Sequence, residues 1–335
     1  MRETIAVEDA ASGLRAFIAI DRLRSGVAAG GVRRVRYPDA DHARADAARL
    51  AAAMTRKCVL ADLPAGGAKT SILDHPRLDV DRAYRVLGDA IEQLGGRYLC
   101  GPDVGTGARE MDLLRRRTRF ANDAANDPSR STAAGVLAGI RGTLRAIDAS
   151  GDVRGRRFAV QGLGQVGGAV AIELARGGAI VRGSDVDRAA CARAAAEGVE
   201  IVPPGEVIEA TCDVLVPCAL GGVLTRASIA RLRCGAVCGA ANNVLDDTEV
   251  DPSELAALLH ARGIVFAPDF VVNAGAVIEG VLAMVHGRSA AVVVEIAARI
   301  ARIEHVVHDL LRDAAAAGAT PLAHALARVD GRDGA

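Results

Sequence analysis

Apolar and polar positions along this chain repeat with two different periods. Residues 14–21 (Leu-Arg-Ala-Phe-Ile-Ala-Ile-Asp) alternate weakly, as a strand with one covered face does, and Gly30-Gly31 break the chain soon after. From Asp41 to about Met54 apolar residues recur at helical spacing (Ala43, Ala47, Leu50, Ala51, Met54), with Asp39 or Asp41 placed to cap the first turn. A second helix is predicted over 80–94, followed by the strand-like Tyr98-Leu99-Cys100 and a turn at Gly101-Pro102-Asp103. The most polar stretch lies at 122–131, so a domain boundary belongs there, just ahead of a helix over 132–149. Beyond it strands and helices alternate: strand 157–161, helix 166–177, strand 179–184, helix 188–197. Apolar runs follow at 213–217, 236–240 and 263–267. A long helical stretch runs from Val277 into the 310s, and Pro321 begins a last piece. The rhythm is that of an α/β protein with a parallel sheet in its second half.

Composition narrows the class. The 335 residues suffice for two domains with their own cores, and 50% hydrophobic with 24% charged residues is a globular balance. Equal numbers of basic and acidic residues, 41 of each, remove the electrostatic reason to expect a nucleic acid or membrane partner. No apolar run approaches the roughly 18 residues of a membrane span, and Met1-Arg2-Glu3-Thr4 does not open a signal peptide. The seven cysteines are an odd number without a C-x-x-C pair, and no histidine stands near them at metal-ligand spacing. Free thiols in a reducing cytoplasm are expected, with no disulfide framework and no metal site.

Of the 41 basic residues only Lys57 and Lys69 are lysine; the remaining thirty-nine are arginine. Arginine replaces lysine readily on a solvated surface, but it cannot release its proton. Two lysines twelve residues apart are therefore expected in one active site. The stretch Gly66-Gly67-Ala68-Lys69-Thr70 is not a phosphate loop, because Ala68 stands where glycine must directly precede the lysine.

Phe158-Ala-Val-Gln-Gly162-Leu-Gly164-Gln165-Val166-Gly167-Gly168 is a G-x-G-x-x-G between a predicted strand and helix, and Asp185 ends the next strand. Gly162 allows a tight turn, Gly164 admits a pyrophosphate to the backbone, and Gly167 lets helix and strand pack. The helix start at Gln165 and Val166 supplies positive potential. Asp185 would accept hydrogen bonds from an adenosine ribose and repel a 2′-phosphate, which favours NAD; nearby Arg182 and Arg188 keep NADP open.

These residues, with others, resemble the amino acid dehydrogenases of the glutamate, leucine, phenylalanine and valine type, closest in look to the phenylalanine and leucine members. The resemblance is carried by Ala29-Gly30-Gly31-Val32-Arg33, Met54-Thr55-Arg56-Lys57, Gly66-Gly67-Ala68-Lys69 and Gly101-Pro102-Asp103-Val104-Gly105-Thr106. It continues through the Gly162 motif, Pro217-Cys218-Ala219-Leu220-Gly221, Gly239-Ala240-Ala241-Asn242-Asn243 and Ala267-Pro-Asp269-Phe-Val-Val-Asn273-Ala-Gly275. It implies an N-terminal α/β substrate and oligomerisation domain (1–131) plus a Rossmann-type dinucleotide-binding domain (132–305), with a cleft between them. Helices at about 306–335 would return to the first domain, and the subunits would form a homo-oligomer.

The resemblance also implies roles. Lys57 would hold the substrate α-carboxylate, with Gly30, Gly31 and Asn242 nearby. Lys69 would polarise the keto oxygen or activate water, its pKa lowered by the neighbouring Lys57 charge, and Asp103 would carry protons to and from the substrate nitrogen. Thr132 would contact the nicotinamide amide, while Cys218, Ala219, Ala240 and Asn242 would line the cofactor site and Ser131 would be wall. The substrate side chain would meet Ala29, Gly101, Val277 and Gly280. Those positions are mostly small, so a bulky apolar amino acid is expected, phenylalanine before leucine.

Two departures stand out. The family's Asn-Ala-Gly-Gly reads Asn273-Ala274-Gly275-Ala276, and Glu279, near the side-chain pocket, is either a solvated helix carboxylate or a contact to a polar or cationic side chain. The expected activity is NAD-dependent reversible oxidative deamination of an L-amino acid. The alternatives are a relative recruited to make an unusual amino acid and, more distantly, a non-catalytic NAD-binding regulator.

Overall fold

Strands β1 (Glu3–Asp9) and β2 (Leu14–Ile20) form an antiparallel hairpin that turns through Gly13 at φ 73°, a conformation open to glycine. The computed structural model describes residues 2–248 and 250–331, and the chain divides into two units. The first holds the residues up to Asn126 together with Val277–Ile296; the second holds Asp127–Ala276 and the chain from Ala297 onward.

In the first unit the hairpin continues into β3 (Ala28–Val35), β4 (Gly66–Leu73) and β5 (Tyr98–Pro102), giving a five-stranded sheet of order β1-β2-β4-β3-β5. Strand β4 is its centre, antiparallel to β2 and parallel to β3. Helix α1 (Ala40–Leu60), capped by the Asp39 carboxylate on His42 N–H at 2.9 Å, buries Ala43, Ala47, Ala51 and Thr55. That small-residue face lies hard against β4: a Cβ at Gly67 would stand 2.1 Å from the Thr55 nitrogen and 2.2 Å from the Ala51 oxygen. A Cβ at Gly30 would stand 1.6 Å from the Ala68 oxygen. Gly30-Gly31, expected to break the chain, are thus interior residues of β3. Glycine is unfavourable in a strand on propensity alone, but contact between backbones leaves no room for another residue. Helices α2 (Val80–Gln93) and α3 (Ala108–Arg115) cover the other face around Tyr84, Leu87, Ile91, Tyr98 and Leu114.

The second unit begins with α4 (Pro128–Asp148), with Asp127 as N-cap and proline in the first turn, four residues ahead of the start expected at 132. There follow β6 (Arg157–Gln161), α5 (Gln165–Arg176), β7 (Ile180–Ser184), α6 (Arg188–Ala196), β8 (Glu200–Ile201) and the short α7 (Pro204–Val207). Then come β9 (Cys212–Pro217), α8 (Arg226–Arg231), β10 (Cys234–Val237), α9 (Pro252–Ala261), β11 (Val265–Phe266) and the short α10 (Asp269–Val272). All six strands are parallel, in the order β11-β10-β9-β6-β7-β8. The chain leaves β6 for one side of the sheet and later returns to its other side at β9, so the topological switch point falls at the carboxyl end of β6, where such folds bind ligands.

The helix expected from Val277 into the 310s is three helices: α11 (Gly275–His286), α12 (Ala290–Ala301) and α13 (Ile303–Ala316). Gly287, at φ 77°, separates the first two. The return to the first unit also differs from expectation. Residues 277–296 make it, whereas α13 and α14 (Pro321–Gly331), expected there, group with the second unit. Glu304 on α13 receives Arg141 at 3.0 Å and Arg145 at 2.8 Å, both from α4. Among the described residues no helix is long and apolar enough to cross a membrane, and no group of three or more His, Cys, Asp or Glu side chains could hold a metal.

Candidate active site

Lys69 projects from the central strand of the first sheet and is 7% exposed. Its ammonium pairs with Oδ2 of Asp103, the residue immediately after β5. The Asp103 carboxylate is fixed from two other directions: Oδ1 accepts the Val104 N–H at 2.7 Å, and Oδ2 accepts the Arg33 Nε–H at 3.2 Å. The turn behind it is closed by Thr106 N–H donating to the Asp103 carbonyl, 2.9 Å, and by the paired hydroxyls of Thr106 and Tyr84. A Cβ at Gly31 would stand 3.2 Å from Lys69 Nζ and 2.9 Å from Asp103 Cβ, so the glycine keeps the space beside both charges clear.

Both members of the pair are shifted from their ordinary ionisation. Burial drives the Lys69 pKa below its ordinary value of 10.5; Asp103 works against that shift and Arg33 with it. Burial alone would push Asp103 up, but the Lys69 and Arg33 charges outweigh it and hold the carboxyl below its usual range. The like charge among the leading causes at Lys69 is thus Arg33, not the Lys57 expected to play that part. Lys57 lies in the last turn of α1, half-buried, in the same unit as Lys69.

The residues expected around the substrate side chain are partly assembled. Gly101 and Gly280 both border Asn122: a Cβ at Gly101 would stand 3.9 Å from its Nδ2, and one at Gly280 3.5 Å from its Oδ1. Ala29 is buried inside β3, and Val277 is half-buried where the returning segment begins. Glu279 is not a solvated carboxylate. It is 5% exposed and accepts Arg288 Nη2 at 3.2 Å, while Arg288 Nη1 reaches Asn126 Oδ1 at 2.8 Å and the Asn126 amide donates to Asn122 Oδ1. Asn122, Asn126 and Arg288 are polar and unremarkable in sequence; only folding the 277–296 segment onto the first unit reveals them as one network.

The dinucleotide motif occupies the switch point of the second unit. Gly162, at φ 90°, makes the turn after β6, and a Cβ at Gly167 would stand 2.0 Å from the Gly162 oxygen. A Cβ at Gly164 would meet nothing within 4 Å, and this N-cap glycine leaves the N–H groups at Gln165 and Val166 without a side-chain cap. That cradle fits a pyrophosphate. Asp185 accepts Leu163 N–H at 2.6 Å and Asp187 N–H at 2.9 Å. The Asp187 contact first, then that of Leu163, holds the carboxyl below its usual range against the effect of burial. Arg182, a candidate for a 2′-phosphate, instead pairs with Glu200 at 3.1 Å.

Cys218 donates its N–H to the Gln161 carbonyl at 2.7 Å, and burial pushes its thiol up to about 12. Ala219 closes over Gly162. Asn273 Nδ2 donates to the Ala240 carbonyl and to Asn242 Oδ1, each at 3.0 Å. Among the described residues the buried Asn273 Oδ1 and Gln161 Oε1 have no hydrogen-bond partner, two unmet acceptors where a dinucleotide would supply donors. Thr132 donates its hydroxyl to the Pro128 carbonyl at 2.7 Å. Gly275 is pressed against Ser131, its imagined Cβ 1.9 Å from the Ser131 oxygen, whereas Ala276 is half-exposed. The glycine that packing demands in Asn-Ala-Gly-Ala is therefore present, and the departure falls on the tolerant position.

Residues 2–120 match the family profile described as Glu/Leu/Phe/Val dehydrogenase, dimerisation domain, and residues 182–329 that of glutamate/leucine/phenylalanine/valine dehydrogenase. The chain is 37% identical over 284 residues to a leucine dehydrogenase of Thermoactinomyces intermedius, covering 82% of this chain and 76% of that one. It is 35% identical over 284 residues to a phenylalanine dehydrogenase of Lysinibacillus sphaericus, covering 81% and 73%. The crystal structure of L-tryptophan dehydrogenase from Nostoc punctiforme superposes with a TM-score of 0.87 at 28% identity, over 99% of this chain and 95% of that one.

Proposed function

The chain belongs to the glutamate, leucine, phenylalanine and valine dehydrogenase family, and on that premise we propose that it catalyses the NAD-dependent, reversible oxidative deamination of an L-amino acid with a bulky apolar side chain. The amino acid and water yield the 2-oxo acid and ammonia, and the two electrons leave as a hydride from the substrate Cα. When bound, the dinucleotide supplies the acceptor for that hydride at its nicotinamide ring. It would lie on the Gly162–Gly167 cradle, with Asp185 on the ribose diol and Thr132 near the ring amide.

The remaining work falls to side chains of the first unit. Lys57 binds the α-carboxylate. Lys69, as the neutral amine, takes a proton from the attacking water and, as the ammonium, steadies the oxygen that becomes the keto group. Asp103, held ionised beside it, relays protons to and from the substrate nitrogen. The buried Lys69–Asp103 pair, in a chain with only one other lysine, is the observation that carries this reading. The engagement of Arg288 by Glu279 supports a preference for uncharged side chains, since a carboxylate side chain would find that cation already paired. The match of residues 2–120 to a dimerisation domain supports assembly into a homo-oligomer, and seven free cysteines suit a cytoplasmic setting.

The test is NADH consumption with ammonia against a panel of 2-oxo acids. Phenylpyruvate or the indole analogue should exceed the valine analogue in kcat/KM by about tenfold, which corresponds to about 1.4 kcal/mol of extra burial. No oxidation of NADH with any 2-oxo acid would overturn the reading, and a valine preference would overturn the open pocket.

A further inference from the structure

Asp103 does not face Lys69 alone. The oxygen that pairs with the Lys69 ammonium, Oδ2, is also the one that accepts the Arg33 Nε–H at 3.2 Å. Arg33 stands on β3, two residues beyond Gly31, and its side chain is 24% exposed. The other end of its guanidinium lies 3.6 Å from Asp46 Oδ2 on α1. Asp46 is fixed in turn: it accepts the Tyr37 hydroxyl at 2.7 Å and Arg49 Nη2 at 2.8 Å. Four charges of alternating sign, Asp46, Arg33, Asp103 and Lys69, thus run from α1 across β3 to the turn after β5 and the central strand. The reaction as proposed above uses only the last two.

We propose that Arg33 is a positioning residue of this site: it holds one oxygen of Asp103, so that Lys69 shares its counter-ion instead of owning it. The inference rests on the reading that Lys69 and Asp103 exchange protons with the substrate. A buried lysine with a carboxylate to itself keeps its proton, which is the wrong property for an amine that must give one up in each cycle. A guanidinium keeps its charge at any working pH, so it divides the carboxylate and repels the ammonium without itself titrating. Asp46 prevents the guanidinium from swinging away. The groups facing Lys69 are therefore Asp103 from the turn after β5, Arg33 from β3 and Asp46 from α1; those facing Asp103 are Lys69, Arg33 and the buried, neutral Tyr98 phenol of β5.

A chain with two lysines permits a direct measurement. Protein grown with lysine labelled with carbon-13 at Cε gives one signal from Lys57 and one from Lys69, assigned with Lys57→Arg. In Arg33→Gln the Lys69 midpoint should rise by about one pH unit, and the pH profile of kcat should move to higher pH with it. At neutral pH kcat for oxidative deamination should fall about tenfold, with KM for the amino acid changed much less. Arg33→Lys keeps the charge but cannot span two carboxylates, so it should restore part of the displacement. If Arg33→Gln does not fold, Arg33→Met, which keeps the apolar stem, carries the same expectation. An unchanged Lys69 midpoint, with activity reduced by one factor at every pH, would overturn the proposal and leave Arg33 a structural residue. A displaced midpoint with an undisplaced kcat profile would uphold the pairing and overturn the proton role of Lys69.

Discussion

Removing the Lys69 amine should abolish turnover yet leave dinucleotide affinity nearly unchanged, because the contacts of Lys69 lie in the first unit and the dinucleotide cradle in the second. Lys69→Ala and Lys69→Arg should both be inactive, since arginine cannot cycle its proton, while fluorescence titration with NADH should give similar dissociation constants for all three proteins. Substantial turnover in the arginine variant would remove Lys69 from proton transfer. The direction of the pH dependence follows from burial. With Lys69 lowered from 10.5 and Asp103 already ionised, kcat for oxidative deamination should rise with pH through a midpoint below the ordinary lysine range and then level off. At this scale the sequence was unusually informative about one residue type only. Two surviving lysines marked themselves by rarity, and Asp103 and the Gly162 motif by context. Arg33, though it ends the Ala29–Arg33 block, had nothing to single it out among thirty-nine arginines, and Asn126 and Arg288 acquire meaning only through a contact between residues 162 apart that no local pattern connects.

At the scale of elements, two glycines separate packing from binding. Gly67→Ala would drive a methyl group into the α1 backbone and should cost about 3 kcal/mol or more in denaturant unfolding. Gly164→Ala adds a methyl group where nothing lies within 4 Å, so it should spare stability and weaken dinucleotide binding by crowding the pyrophosphate. A similar loss of stability in both would deny Gly164 its role. A second element-level contact ties the end of β1 to α2: Asp9 accepts Ser12 N–H and Arg82 Nε–H, each at 2.9 Å, and its carboxyl is lowered from 3.8 to about 2, by the Ser12 and Arg82 hydrogen bonds first. A lowered carboxyl stabilises the fold above its unfolded pKa and loses that contribution as pH falls through the folded one. Asp9→Asn should therefore lower Tm at pH 7, with the difference from wild type vanishing between pH 3.8 and about 2. Helices with Asp caps, and strand β6 with its glycine motif, were legible because their signals are local. Strands β3 and β4 were not, because glycine argues for a turn until the facing backbone is known.

For the whole molecule, Asp185 with Arg182 diverted to Glu200 should give NAD at least tenfold over NADP in kcat/KM, about 1.4 kcal/mol. Equal use of both would mean that Arg188 overrides the carboxylate. The alternation of strands and helices after residue 150 announced the parallel sheet, and the polar stretch at 122–131 lay close to the change of unit after Asn126. Which C-terminal helices rejoin the first unit could not be read from the pattern. Amphipathic helices in series look alike until a partner surface exists, and the choice of 277–296 over 306–335 is made by side chains such as Arg288 reaching Asn126.

That interleaving separates the unit of inheritance from the unit of folding. No single contiguous stretch of the gene encodes the first unit, since its last twenty residues, 277–296, are supplied from inside the second half of the message. A fragment ending at Asn126 would carry an uncovered surface, and the complementary fragment from Asp127 would carry the helices that fit it. Expressed as two polypeptides, they should find one another and restore activity, a ready-made split reporter in which neither half works alone and reassembly can be followed through the appearance of dehydrogenase turnover.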